Sequence, residues 1–309
     1  MEGFREMNRL VDITSVSKSF GAVRALQDVT LSVQAGEVVA LLGHNGAGKT
    51  TLFRIMLGFL EPDRGSLLVS GNKAGSRESR SAISYLPESV AFPKMLTGRE
   101  IVGLYAKLKG APASDIERAL ESVDLLDAAN RRCGTYSKGM RQRLGLAQAI
   151  VGSPQVLLLD EPTSGLDPVS RTEFYGLIAS LADTGTAVLL SSHGLSELEA
   201  RAGRVAILRK GRLVADGALA DLQKNANLPT RIRVRSTAEK VDDFHRRFGG
   251  ERVNCASVEI TCASDEKMPM LAAIHASPEV VSDIEVMPPT LDEVYRYYSL
   301  NEDNKEDLS

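Results

Sequence analysis

Eight residues, Gly43-His44-Asn45-Gly46-Ala47-Gly48-Lys49-Thr50, constrain this chain more than any other feature. They follow residues 37–42, which are apolar after Glu37, the pattern of a strand buried on both faces of an α/β sheet. Leu52, Phe53, Ile55 and Met56 follow at helical spacing. A glycine-rich loop that ends in Lys-Thr and sits between a buried strand and a helix is the Walker A form of phosphate loop. Its glycines let successive N–H groups turn onto phosphate oxygens, and the helix N-terminus adds partial positive charge. Gly43, Asn45, Gly46, Gly48, Lys49, Thr50 and Thr51 are therefore the candidate nucleotide contacts, for ATP with Mg²⁺. Lys49 is expected on the β- and γ-phosphates, and the Thr50 hydroxyl on Mg²⁺.

A second apolar run, residues 156–159, ends in Asp160-Glu161. An acid at such a strand end fits the Mg²⁺-associated carboxylate, and Glu161, one residue on, can face an attacking water as general base. Further strands are expected at 66–69, 82–85, 187–191 and 205–208, with helices between several of them, the alternation of a layered α/β domain.

The chain has 309 residues, of which 43% are hydrophobic, enough for one sizeable core and a minor second one. A net charge of −3 argues against nonspecific nucleic-acid binding, which needs excess Lys and Arg. Three cysteines, none in a C-x-x-C pair, point to a reducing compartment. No signal peptide is visible at the start, and no run approaches the roughly 20 apolar residues a membrane helix needs. If the chain serves a membrane process, another chain provides the channel.

Between about 94 and 153 the character becomes helical. Thr97 and Glu100 have capping-box spacing ahead of an apolar stripe of Ile101, Leu104, Tyr105 and Leu108, and Ser114 with Glu117 repeats the box before Leu120 and Val123. After about 228 a shorter pattern begins. Strands are expected around Ile232 and Val234, at 251–253, around Val258 and Ile260, and at 280–286, with helices at 241–248 and 268–275. That β-α-β-β-α-β order is compatible with a ferredoxin-like domain.

The run Tyr136-Ser137-Lys138-Gly139-Met140-Arg141-Gln142-Arg143-Leu144 closely resembles the signature loop of the ATP-binding cassette (ABC) family. Ser164-Gly165-Leu166-Asp167 resembles its D-loop, His193 stands in the switch-histidine place, and Phe20 matches the aromatic that stacks on adenine. The resemblance implies a P-loop ABC cassette over 10–227, with a helical subdomain at about 94–153. A small α+β domain follows at 228–298, and a disordered tail at 299–309. It implies that Ser137, Gly139 and Asp167 meet ATP held by a second copy, so that a homodimer forms two composite sites. Glu161, His193, Lys49 and Glu88 are the implied catalytic residues, and Thr50, Asp160 and Glu88 the implied Mg²⁺ group. The expected function is ATP hydrolysis that powers a separate transmembrane permease, from the cytoplasmic face of the membrane.

Two positions depart from the common signature, Lys138 for Gly and Met140 for Gln, and Tyr85-Leu86-Pro87-Glu88 has Glu where most relatives have Gln. Glu88 accepts hydrogen bonds but cannot donate as an amide does. Pro289-Thr290-Leu291-Asp292-Glu293-Val294-Tyr295 resembles the C-terminal signature of cassettes that serve ABC-2-type export permeases. Together with the Lys-Gly-Met and Pro-Glu features, it resembles the ATPase subunits of nitrous oxide reductase maturation transporters. That resemblance implies copper-site assembly and an extracytoplasmic maturation partner reached through the permease. Cys255, Cys262, Met268, Met270 and His275 are soft enough to bind copper, yet their spacing matches no metal motif and packing is the expected role. The alternatives are another ABC-2-type exporter, a soluble regulatory ABC protein, or a nonhydrolytic ATP-gated one.

Overall fold

The computed structural model describes residues 8–192, 203–237, 240–277 and 281–300. His193, Val280 and residues 301–309 lie outside that set. The chain divides into two compact units, Met1–Asp216 and Gly217–Ser309.

The first unit holds strands β1 (Arg9–Phe20), β2 (Val23–Gln34) and β3 (Val38–Leu42), then helix α1 (Lys49–Met56). Strands β4 (Arg64–Val69) and β5 (Asn72–Lys73), helix α2 (Arg77–Ala82) and strand β6 (Ile83–Leu86) follow. Helices α3 (Gly98–Lys109), α4 (Ser114–Ser122) and α5 (Lys138–Ile150) form the helical stretch. Strand β7 (Val156–Asp160), helix α6 (Pro168–Asp183) and strands β8 (Ala187–Ser192), β9 (Arg204–Arg209) and β10 (Arg212–Gly217) complete the run.

Six strands form one sheet in the order β10-β9-β3-β8-β7-β6, and β2-β1-β4-β5 form a second. β3 pairs in parallel with β8 and β9, and β7 in parallel with β6 and β8. Because β7 and β8 are fully buried but for Asp160, both sheet faces are covered, as a parallel sheet requires. Leu42 pairs with Ser192, and Asp160 with Ser191, so the carboxyl ends of β3, β7 and β8 share one edge. In open α/β sheets that edge is where ligands bind. Under it, α1 buries Leu52, Phe53, Ile55 and Met56. Phe53 meets Tyr85 edge-on, with ring centroids 6.3 Å apart.

The capping box at Thr97 and Glu100 forms: the Thr97 hydroxyl accepts from the Glu100 N–H, and the Glu100 carboxylate from the Thr97 N–H. The box expected at Ser114 and Glu117 does not. After Pro112 the chain already turns with helical angles at Ala113, so Ala113 is the cap residue and Ser114 lies inside α4. The expected stripe on α3 is also rotated: Ile101, Val102 and Ala106 are buried, whereas Leu104 and Leu108 are exposed. Lys109, at the end of α3, turns its ammonium inward. It donates to Ser84 Oγ at 2.8 Å and to the Ala149 and Val151 carbonyls at 2.7 and 2.9 Å, which ties α3 to β6 and to the carboxyl end of α5. A cation suits that helix end.

In the second unit, α7 (Leu219–Asn225) precedes β11 (Thr230–Arg235), α8 (Val241–Phe248), β12 (Glu251–Asn254) and β13 (Ser257–Cys262). Then come α9 (Lys267–His275), β14 (Asp283–Met287) and α10 (Leu291–Leu300). The order β12-β13-β11-β14, with every adjacent pair antiparallel, is ferredoxin-like. Ile232, Val234, Val258 and Ile260 bury one face with Phe244 and Ile274. Between them, Arg231 and Arg233 turn to the other face and pair with Glu293 and Glu259 at 3.1 and 2.9 Å. Ser299 and Leu300 belong to α10, so the expected disordered tail cannot begin at 299.

Candidate nucleotide site

The loop after β3 turns so that Gly48 sits at φ +113°, a conformation only glycine holds without strain. A Cβ there would also lie 2.6 Å from the Ala25 carbonyl oxygen. Gly48 is the cap of α1 and offers no side chain to its first-turn N–H groups, and that turn carries no acid. Those donors are left for an anion. Above them lies an open cleft of about 560 Å³, lined by residues 44–51, by Ala22 to Ala25 and Gln27, and by Lys210. Its volume suits a nucleotide.

Lys49 is 8% exposed. Its Nζ donates to the Gly43 carbonyl and lies 3.9 Å from Glu161 Oε1. Burial lowers its pKa, against the opposing pull of Glu161 and Asp160. Thr50, next on α1, is exposed at the cleft.

Asp160 is oriented by two partners that sequence reasoning missed. Ser191 Oγ donates to its Oδ1 at 2.5 Å, and the Tyr85 hydroxyl to its Oδ2 at 3.0 Å. Burial, and after it the Asp160 charge, pushes the Tyr85 phenol far above its usual range, so Tyr85 stays a donor. The only sequence signal for this was a tyrosine next to the last residue of a strand. Glu161 follows at φ +47°, a left-handed conformation that costs a residue with a Cβ energy. Its N–H donates to Ser191 Oγ at 3.1 Å, which holds the turn that separates the two carboxylates. Glu88 is exposed just beyond β6 and near enough for its charge to act on Tyr85.

Phe20, 48% exposed, ends β1 two residues before the cleft rim at Ala22 and does not line the cleft itself. Lys18 Nζ stands 5.7 Å from its ring centroid. His193 lies outside the described residues.

The signature residues stand elsewhere. Ser137 caps α5, its Oγ accepting from the Met140 N–H at 3.1 Å. Ser137 and Gly139 line a separate groove with Met140, Arg143 and Ser170, which shares no residue with the phosphate-loop cleft. A Cβ on Gly139 would meet nothing closer than Ser170 Oγ at 3.5 Å, so neither backbone nor packing in this chain demands glycine there. Asp167, expected at nucleotide, uses its Oδ1 to cap α6, accepting from Val169 and Ser170 N–H at 3.1 and 3.0 Å. A hydrogen bond from the Ser170 side chain, and after it the Ser170 N–H, lowers its pKa.

The ABC transporter family profile matches residues 26–164, which include the phosphate loop, the signature and the Asp160-Glu161 pair. The chain is 32% identical to the ABC transporter ATP-binding protein YhcH of Bacillus subtilis, over 98% of this chain and 99% of that one. It is 35% identical to the daunorubicin/doxorubicin resistance ATP-binding protein DrrA of Streptomyces peucetius, over 86% of this chain and 80% of that one. A solved ATP-binding subunit of an ABC transporter superposes with a TM-score of 0.64 at 32% identity, covering 70% of this chain and 92% of that one. The chain belongs to the ABC transporter family, as one of its ATP-binding subunits.

Proposed function

We propose that this subunit hydrolyses ATP in a homodimer and drives a separate ABC-2-type export permease. The observation that carries the reading is the split of the site. The phosphate loop with Asp160 and Glu161 lies in one cleft, the signature Ser137 and Gly139 in another, and Gly139 is bare for no reason within its own chain. Two copies related by a two-fold axis bring each signature onto the other's phosphate loop. No helix among the described residues is long and apolar enough to cross a membrane, in keeping with a permease on another chain and a place at the cytoplasmic membrane face.

In this reading the α1 N-terminus, the loop amides and Lys49 hold the phosphates, and negative charge developing in transfer meets donors already in place. Glu161 accepts the proton of the attacking water, with its backbone fixed by Ser191. The oxygen donors Thr50 and Asp160 suit Mg²⁺, which would supply charge neutralisation on the phosphates. Tyr85 and Ser191 keep the Asp160 carboxylate turned to that task. Glu88, His193 and Phe20 retain the roles in water positioning, γ-phosphate contact and adenine stacking that the family resemblance implies. Asp167 is better suited to shaping its loop than to holding nucleotide.

The narrower form of the proposal is nitrous oxide reductase maturation, with copper handled by partner proteins. It is carried by the Lys-Gly-Met signature, the Pro-Glu segment and residues 289–295. The DrrA likeness favours a drug exporter of the same class. Residues Thr290 and Glu293 close a capping box, with Leu291 and Val294 buried behind it, so that segment has a folding role whichever cargo applies. Purification of the chain with its native permease tests the reading: Mg²⁺-dependent turnover with an exporter permease supports it, and tight ATP binding without turnover in that complex contradicts it. A co-purifying periplasmic copper protein selects the maturation form.

A further inference from the structure

The unusual lysine of the signature has no task in the site described above. Lys138 is the first residue of α5, between the cap Ser137 and the bare Gly139. A cation there opposes the helix dipole, and the first turn holds no acid to offset it. Among the described residues Lys138 makes no hydrogen bond or ion pair. Its neighbours on the helix differ. Arg143 is held by Asp124 and Glu173, and Arg141 donates to the Tyr136 carbonyl at 2.6 Å. The nearby Asp167 carboxylate is engaged in capping α6. The Lys138 ammonium rests instead against Gly165 of the D-loop, in the space a Cβ would need.

We propose that Lys138 is a phosphate-binding residue that acts across the dimer, its ammonium neutralising the terminal phosphate of ATP held by the second copy's phosphate loop. The proposal rests on the composite-site reading. An anion placed at the α5 N-terminus satisfies the open N–H groups of that turn and removes the charge conflict that Lys138 creates. Gly139, with room for a side chain yet without one, leaves the approach to that spot clear. A cation delivered in trans to a transferring phosphoryl group stabilises charge that the phosphate loop alone does not reach. The competing role is a strut: Lys138 would only prop the D-loop at Gly165, where length matters and charge does not.

The test uses the full chain carrying Glu161→Gln, so that ATP is bound but not consumed, and follows dimer formation by light scattering as ATP is raised with Mg²⁺. Adding Lys138→Gln should raise the ATP concentration for half-closure about tenfold, the scale of one charged hydrogen bond. Lys138→Arg should restore it to within about threefold. Binding of a fluorescent ATP analogue to the monomer should not change in either variant, because that chain's own phosphate loop is untouched. A Gln variant that closes at the parental ATP concentration overturns the proposal, as does a defect that Arg fails to rescue. A parent that never closes with ATP overturns the composite-site reading and the Lys138 role with it. A parent that closes beside an unaffected Gln variant overturns the Lys138 role alone.

Discussion

Lys49, Asp160 and Glu161 in the phosphate-loop half of the cassette are held by their own chain, through the Gly43 carbonyl, Tyr85 and Ser191. In the signature half, Ser137 and Lys138 face outward and Gly139 offers bare backbone to the surface. One half is pre-organised for charge, and the other is shaped for something that arrives. That difference explains why a single chain carries both motifs without assembling them.

The sharpest blow to the first half is loss of its charge chemistry. Lys49→Ala should lower turnover by at least about 10²-fold, on the scale of one removed donor to a developing charge. Glu161→Gln should do the same or more by removing the base, about 10²–10⁴-fold, while ATP still closes the dimer. Steady-state phosphate release with scattering in parallel checks both. Near-normal release from Glu161→Gln would remove that residue from its role. In the second half, Ser137→Arg should leave nucleotide affinity of the monomer within about threefold, yet abolish ATP-driven closure by placing bulk where the partner's ATP arrives and removing the Ser137 hydroxyl. Equal losses of binding and closure would mean that the two halves are not functionally distinct.

Bracing is a weaker lever than the groups it braces. Tyr85→Phe deletes the hydroxyl on Asp160 Oδ2 and leaves the ring against Phe53, so turnover should fall about tenfold with little change in melting temperature. A larger loss of stability than of turnover would make Tyr85 a packing residue. Farther from the chemistry, Lys109→Met removes the donor that Ser84 and the last carbonyls of α5 share. It should destabilise the cassette by about 1–3 kcal/mol in urea unfolding and leave the ATP affinity of the folded chain near its original value.

What was legible in the sequence follows the same division. The phosphate loop, the Asp160-Glu161 pair and the Ser137 cap are contiguous runs whose chemistry is local, and each stands on the element that its pattern predicts. The bracing of Asp160 was hidden, because Tyr85 and Ser191 are 75 and 31 residues away and only the β6-β7-β8 order brings them together. β1 was missed for another reason: its register against β2 shifts at several points, including Ile13 to Val16, so period-two alternation does not survive. The ferredoxin-like order was readable because alternation in β11 and β13 is unbroken. The box at Ser114 failed because Pro112 starts the turn early, which spacing alone does not reveal.

The pairing of unlike halves across two copies is tested most directly by mixed dimers carrying Lys49→Ala and Ser137→Arg in a Glu161→Gln background, with the ATP retained per dimer counted after gel filtration. With the two lesions on different chains, both fall in one composite site and the other is intact, so one ATP per dimer should remain trapped. With both lesions on one chain, each composite site is broken and retention should fall to background. The reverse result, one ATP retained when both lesions share a chain and background when they are on different chains, would show that each chain completes its own site and would contradict the trans pairing.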